Sequence, residues 1–367
     1  MGKSPKATSN RSRLYVPEPQ FRPGDTPDYS HISVPANHTP GRPDPLCEHH
    51  ETAEHALKLI RVLRFNGDAV GEWDPKLSTD ALLGAMNDMM MTRAMDERMF
   101  NMQRQGKMSF YMKSTGEEAV SVGHSMALKN SDMIFPTYRQ QGILINRGAS
   151  IKEMMCQCLS NSGDPLDGKS IPVLYSFKKH GFFSISGNLG TQLIQGVGWA
   201  MACAYKNEDG IASVFTGEGA TAEGDFHYAL NFASTYRAPC IINVVNNQWA
   251  ISSFQGIAAG EGETFAARGT GYGLATLRVD GNDILAGASV FLFLKPNLKE
   301  QPSPSGRSSD NSITMFKAYG LKKFRENLYI LGALNYDLYS TSFDRKITAS
   351  SASQRDLTFN LGVNYFF

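Results

Sequence analysis

The chain has 367 residues, 41% of them hydrophobic and 19% charged, with 36 Lys+Arg against 35 Asp+Glu. That balance excludes a globally basic nucleic-acid binder and a highly charged disordered chain, and the length allows about two domains. Five cysteines without a CxxC pair favour reduced thiols in a cytoplasmic compartment, no apolar segment follows the basic N-terminus, and the longest apolar stretch, 284–294, is far too short to span a membrane as a helix.

Nine of the seventeen prolines fall within residues 1–50, so the chain is expected to open with an extended arm, taken here to residue 78. Asp80 to Gln105 follows with apolar residues at helical spacing behind a Ser78/Thr79/Asp80 cap, and its methionines (Met86, Met89, Met90, Met91, Met95, Met99, Met102) suit a buried helix. A second helix is expected over 117–128, with Glu117 and Glu118 where a helix N-terminus favours negative charge. Met133 to Gln141 reads as a strand end leading into a turn and a helix. After a loop over 160–171, the helix 190–205 carries Gly196, Gly198, Ala200, Ala202 and Ala204, a small-residue pattern that suits a close helix–helix or subunit contact.

Next come an apolar strand (211–215), a loop (217–225), a helix (226–235) and another apolar strand (240–245). This alternation predicts an α/β fold with a parallel sheet covered by helices on both faces. Ligands of such sheets bind at the carboxyl ends of the strands. Two such ends hold Gly217-Glu218-Gly219 and, after 26 residues, Asn246-Asn247. The glycines let backbone N–H groups approach phosphate, a following helix start adds a favourable dipole, and Glu218 with the Asn247 oxygen are hard ligands suited to Mg²⁺. Either motif alone is also a common turn or strand exit; it is the pair, spaced by one helix, that points to a metal-bridged diphosphate.

Gly217 to His227 and Asn243 to Ser252 resemble the thiamine-diphosphate motif of 2-oxo acid dehydrogenases. Met108-Ser-Phe-Tyr-Met112, Phe135-Pro-Thr-Tyr-Arg-Gln-Gln141 and Ser184-Ile-Ser-Gly-Asn-Leu-Gly-Thr-Gln192 resemble, more narrowly, the alpha subunits of branched-chain 2-oxo acid (2-oxoisovalerate) dehydrogenases, over about residues 15–283. The resemblance implies Glu218, Asn247 and the Trp249 carbonyl as Mg²⁺ ligands, and Tyr138, Arg139, Ser186, Gly187, Gly217, Gly219 and Ala220 as cofactor-binding positions. Leu189 matches the bulky residue that holds thiamine diphosphate bent, and Ser186, Thr191 and Gln192 match a K⁺ site. It further implies a beta subunit in an α₂β₂ assembly, a lipoyl-bearing acyltransferase partner and a branched-chain 2-oxo acid as substrate. Two departures stand out. Val245 occupies a place where some members carry an arginine, and no histidine follows His227, so the family's downstream His loop is missing.

Beyond Asp283 the composition changes: 10 Lys+Arg against 6 Asp+Glu, compared with 26 against 29 before it. Leu357, Phe359, Leu361, Val363, Tyr365 and Phe367 share one face, with Thr358, Asn360, Gly362 and Asn364 on most of the other, and Leu328, Ile330, Leu334, Tyr336 and Leu338 follow a similar pattern in an earlier segment. This resembles the last strands of an outer-membrane β-barrel, although a soluble amphipathic hairpin has the same pattern. The expectation is a boundary at 283, with 284–367 a β tail of separate origin joined to the dehydrogenase-like part.

Overall fold

The computed structural model describes residues 17–19, 25–26, 39–44, 49–260, 264–293 and 330–331. In chain order these form α1 (Ala53–Leu57), β1 (Leu59–Ile60), α2 (Thr79–Arg104), α3 (Glu118–Ala127), β2 (Met133–Phe135), α4 (Gln141–Asn146) and α5 (Ile151–Leu159). They continue with α6 (Thr191–Lys206), β3 (Ala212–Gly217), α7 (Gly224–Tyr236), β4 (Cys240–Val245), the hairpin strands β5 (Trp249–Ala250) and β6 (Ser253–Phe254), and α8 (Gln255–Ala258). Last come α9 (Phe265–Thr270), β7 (Ala275–Thr276), β8 (Arg278–Val279), α10 (Ile284–Phe293) and β9 (Ile330–Leu331).

The central sheet has the order β2-β3-β4, all parallel. Every residue of β4 and the first five of β3 are buried, which is why both read as unbroken apolar runs rather than alternating ones. α6 lies directly on this sheet. A Cβ at Gly196 would overlap the Val214 side chain and stand 3.2 Å from the Phe135 ring. The small residue expected to serve a helix–helix or subunit contact thus serves a helix–sheet contact. Gly196→Ala is expected to cost about 1–3 kcal/mol, as overpacking does, lowering the thermal midpoint without altering far-UV circular dichroism. α2 starts on the Ser78 hydroxyl, which accepts from the Ala81 N–H. It buries Met89, Met95 and Met99, while Met90 and Met91 are exposed, so only one stripe of its methionines is core.

The ends of the expected middle domain need correcting on both sides. Residues 49–78 are not an arm: Ile60, Val62 and Trp73 are fully buried, and β1 pairs in parallel with β8. Residues 39–44 do wrap a surface, since Thr39 Oγ1 donates to the Arg61 carbonyl and the Pro40 carbonyl accepts from Trp73 Nε1. At the other end, 284–293 is a helix, not the start of a β tail. It packs on α3, where a Cβ at Gly123 would meet the Ile284 carbonyl at 3.0 Å, and Ala286, Ala288 and Val290 are buried. The barrel-like segments otherwise fall outside the described residues; Ile330–Leu331 pairs in parallel with β7. Among the described residues, Cys156, Cys158, Cys203 and Cys240 are free thiols, and no helix is long and apolar enough to cross a membrane.

Candidate functional site

Three adjacent parallel strands end on the same side of the sheet, because their register pairs Phe135 with Val214 and Gly217 with Val245. The segments just beyond them, Thr137-Tyr138-Arg139, Glu218-Gly219-Ala220 and Asn246-Asn247, therefore meet at one sheet edge. There a cavity of about 740 Å³ is lined by Tyr138, Arg139, Leu189, Gly217, Glu218, Gly219, Ala220, Asn247 and Trp249. These residues come from sequence positions more than a hundred apart. Ser186, Gly187, Thr191 and Gln192 are not on this wall; they belong to the loop that presents Leu189 and to the start of α6.

That loop is closed on itself. Ser186 Oγ accepts from the Asn188 N–H, Thr191 Oγ1 donates to the Asn188 carbonyl, and Gln192 Oε1 accepts from the Gly190 N–H. Gln192 Nε2 donates to the Phe215 carbonyl at 2.9 Å, pinning the loop to β3. Leu189 itself is 38% exposed, an apolar side chain facing the cavity.

Glu218 is only 2% exposed, and its Oε1 is buried without a hydrogen-bond partner. Burial pushes its pKa up to about 7, against the pull of the backbone N–H groups of Glu218 and Asn247. A buried carboxylate oxygen with nothing to hold is an open coordination position for a cation. Asn247 Oδ1 accepts from the Trp249 N–H at 3.1 Å, which fixes the amide's orientation. Among the described residues no three His, Cys, Asp or Glu side chains converge. The oxygen donors at hand, one carboxylate, one amide and backbone carbonyls, suit a hard cation such as Mg²⁺ better than a closed zinc centre.

The glycines fill two different needs. A Cβ on Gly217 would meet nothing within 4 Å, so its backbone borders open space, whereas one on Gly219 would overlap the Ala250 side chain. Gly219 is thus dictated by the β5–β6 hairpin as much as by any ligand. The helix expected from residue 226 begins two residues earlier, at Gly224, after a 3-10 turn over Gly219–Ala222.

Arg139 points into the cavity through a turn fixed by Gln140, whose Oε1 accepts from both the N–H and the hydroxyl of Thr137 at 2.7 Å. Its Nη1 donates to the Lys113 carbonyl at 3.0 Å. Burial works against the guanidinium charge, but Glu117, with Oε1 3.8 Å from Arg139 Nε, raises its pKa. A permanently charged planar donor at a strand end is suited to a phosphate.

Glu117 is the residue that the sequence reading missed as part of the site. It lines the cavity, is 2% exposed, and burial pushes its pKa up to about 7 against Arg139 and Asn247. Its neighbour Glu118 faces elsewhere, accepting from Arg93 Nε at 2.6 Å and the Gly116 N–H at 2.8 Å. The signal was the doublet itself: one acid suffices at a helix start, and the second needs another reason. Phe110, Tyr111 and Met112 form an apolar wall, braced by Asp96, which accepts from the Tyr111 hydroxyl at 2.7 Å and from the Ser114 N–H and hydroxyl at 2.6 and 2.8 Å.

Residues 86–297 match the family model described as "Dehydrogenase E1 component", and residues 11–48 match "2-oxoisovalerate dehydrogenase E1 alpha subunit N terminal". The chain is similar to the 2-oxoisovalerate dehydrogenase subunit alpha of Pseudomonas aeruginosa, at 57% identity over 274 residues, covering 75% of this chain and 67% of that protein. It is also similar to the mitochondrial 2-oxoisovalerate dehydrogenase alpha subunits of Caenorhabditis elegans (41% over 233 residues) and Homo sapiens (38% over 231 residues), covering 63% of this chain in each case. The chain spans about two thirds of the bacterial relative's length and about half that of the mitochondrial ones. The first model alone reaches four residues past α10, so the helix that corrected the expected boundary lies within the matched region. With more than half of its length matched, the chain belongs to the dehydrogenase E1 component family.

Proposed function

We propose that the cavity binds thiamine diphosphate through Mg²⁺, and that the chain serves as the alpha subunit in oxidative decarboxylation of branched-chain 2-oxo acids of the 2-oxoisovalerate type. The observation that carries this reading is the meeting of Arg139, the Gly217-Glu218-Gly219 turn and Asn247 at the ends of three parallel strands, around a buried Glu218 oxygen without a partner. When bound, thiamine diphosphate supplies the electron sink for losing CO₂ from a 2-oxo acid. The chain's own share is binding and orientation. Glu218, Asn247 and the Trp249 carbonyl hold the metal, Arg139 and Tyr138 hold the diphosphate, and the Gly217, Gly219 and Ala220 backbone borders it. Leu189 braces the cofactor's bend from the loop that also carries Ser186 and Gly187, and Ser186, Thr191 and Gln192 hold K⁺. Phe110, Tyr111 and Met112 offer an apolar wall for a branched aliphatic chain.

The same reading gives the chain a beta subunit, an α₂β₂ assembly, a lipoyl-bearing acyltransferase that receives the acyl group, and a cytoplasmic place. The segment beyond the family match is read as a separate, barrel-like addition, supported by its period-two alternation. A second reading rests on one specific feature, that no histidine follows His227: the chain would then retain cofactor and subunit binding with impaired turnover. CO₂ release from 2-oxoisovalerate, measured with a beta subunit of this family supplied, separates the two. Turnover above that of the beta subunit alone supports the first, cofactor binding with none supports the second, and failure to bind cofactor or partner contradicts both.

A further inference from the structure

Glu117 sits between two groups to which the proposed function gives work. Its Oε1 accepts from Asn247 Nδ2 at 3.5 Å and lies 3.8 Å from Arg139 Nε. These three residues come from the start of α3, the end of β4 and the turn after β2, and 130 positions separate Glu117 from Asn247. We infer that Glu117 is a positioning residue that sets both the metal-facing amide of Asn247 and the phosphate-facing guanidinium of Arg139. This inference rests on the reading of the cavity as a Mg²⁺–diphosphate site.

A side-chain amide presents its oxygen to a cation only if its NH₂ is turned elsewhere, and an anionic acceptor is the strongest means of turning it. Here the amide is held at both ends, Nδ2 by Glu117 and Oδ1 by the Trp249 N–H. The guanidinium is likewise held on three sides, its Nε facing Glu117, its Nη1 bonded to the Lys113 carbonyl and its Nη2 against Met112 Sδ. The helix geometry explains why Glu117, not Glu118, has this place. The residue preceding the first turn of α3 points its side chain back over the strand ends, whereas Glu118, one residue on, turns to Arg93 and Gly116.

The test uses the full chain and titrates thiamine diphosphate at several Mg²⁺ concentrations by calorimetry, with thermal melts of the unliganded protein alongside. Glu117→Gln keeps the volume and one acceptor oxygen but removes the charge, so it is expected to weaken thiamine diphosphate binding by about 10–100-fold, the effect of a charged hydrogen-bond partner. The Mg²⁺ concentration for half-saturation should rise in step. Glu118→Gln is the structural control: it should lower the melting midpoint and leave both binding quantities unchanged. In an Arg139→Gln background the effect of Glu117→Gln should shrink, because the two residues act as one unit. Wild-type affinity and Mg²⁺ dependence in Glu117→Gln, or effects that simply add with Arg139→Gln, overturn the positioning role while the cofactor site stands. A wild-type chain that does not bind thiamine diphosphate overturns the site and this role with it.

Discussion

Glu218→Gln is expected to remove Mg²⁺-dependent binding of thiamine diphosphate, weakening it by roughly 100-fold or more, beyond the ~10–100-fold typical of a residue that only orients a ligand. The substitution takes away the carboxylate whose Oε1 is buried and unpartnered. The same change should leave the unliganded protein as stable as before, or more so. Burial raises the folded-state pKa from 4.5 to about 7. The carboxyl's contribution to stability is therefore full below pH 4.5 and is lost as the pH rises through 7, where the folded protein must hold a desolvated charge. Glutamine carries no such charge, so at pH 8 the melting midpoint of the variant should equal or exceed that of the wild type. Calorimetry and melts in EDTA check the two halves. Unchanged affinity would refute the metal assignment, and a large fall in midpoint would make Glu218 a structural residue.

Asp283→Ala should be among the most destabilising single changes in the chain. The Asp283 carboxylate accepts four backbone N–H groups: Val62 and Leu63 at 2.6 Å each on one oxygen, Leu285 and Ala286 at 3.0 and 2.9 Å on the other. It caps α10 and at the same time ties that helix to the strand segment after β1, and the residue is only 3% exposed. Loss of the cap and the stranding of two buried donors cost together about 3–5 kcal/mol. At roughly 2–4 °C per kcal/mol the midpoint should fall by about 10 °C. Asp283→Asn should recover part of this, since its amide oxygen can still cap α10 but its NH₂ faces other donors. A midpoint within 2 °C of wild type for Asp283→Ala, roughly what a harmless surface change allows, would show that α10 is not tied to the domain as described. Cutting the chain after Asp283 should destabilise it for the same reason.

How far the sequence could be read depended on whether each signal was local. The runs over β3 and β4 are apolar because parallel strands are buried on both faces, and such runs, with the helix between them, are visible without any tertiary information. The Gly-Glu-Gly turn and the asparagine pair were legible as a pair for the same reason: strand, loop, helix and strand follow one another in the chain. Other features had no local trace. β1 and β8 are two residues each and are defined by their mutual pairing. Glu117 acquires its surroundings from residues 22 and 130 positions away. The apolar run of α10 carries no local helix signal, because it is apolar on every side with neither helical nor alternating period; its burial against α3 identifies it as a helix enclosed by core. Gly196 is expected at a helix–helix or subunit contact and Gly219 at a phosphate, whereas a sheet and a hairpin in the same chain account for the close approach in both.

In the proposed site Glu218 and Asn247, delivered by adjacent strands, hold a metal that in turn holds a diphosphate. The direct measurement is a calorimetric titration of the full chain with thiamine diphosphate, once in Mg²⁺ and once in EDTA. Saturable binding in Mg²⁺ that is lost in EDTA is the predicted result. Equal binding in both solutions, or none in either, would contradict a metal-held diphosphate at this site.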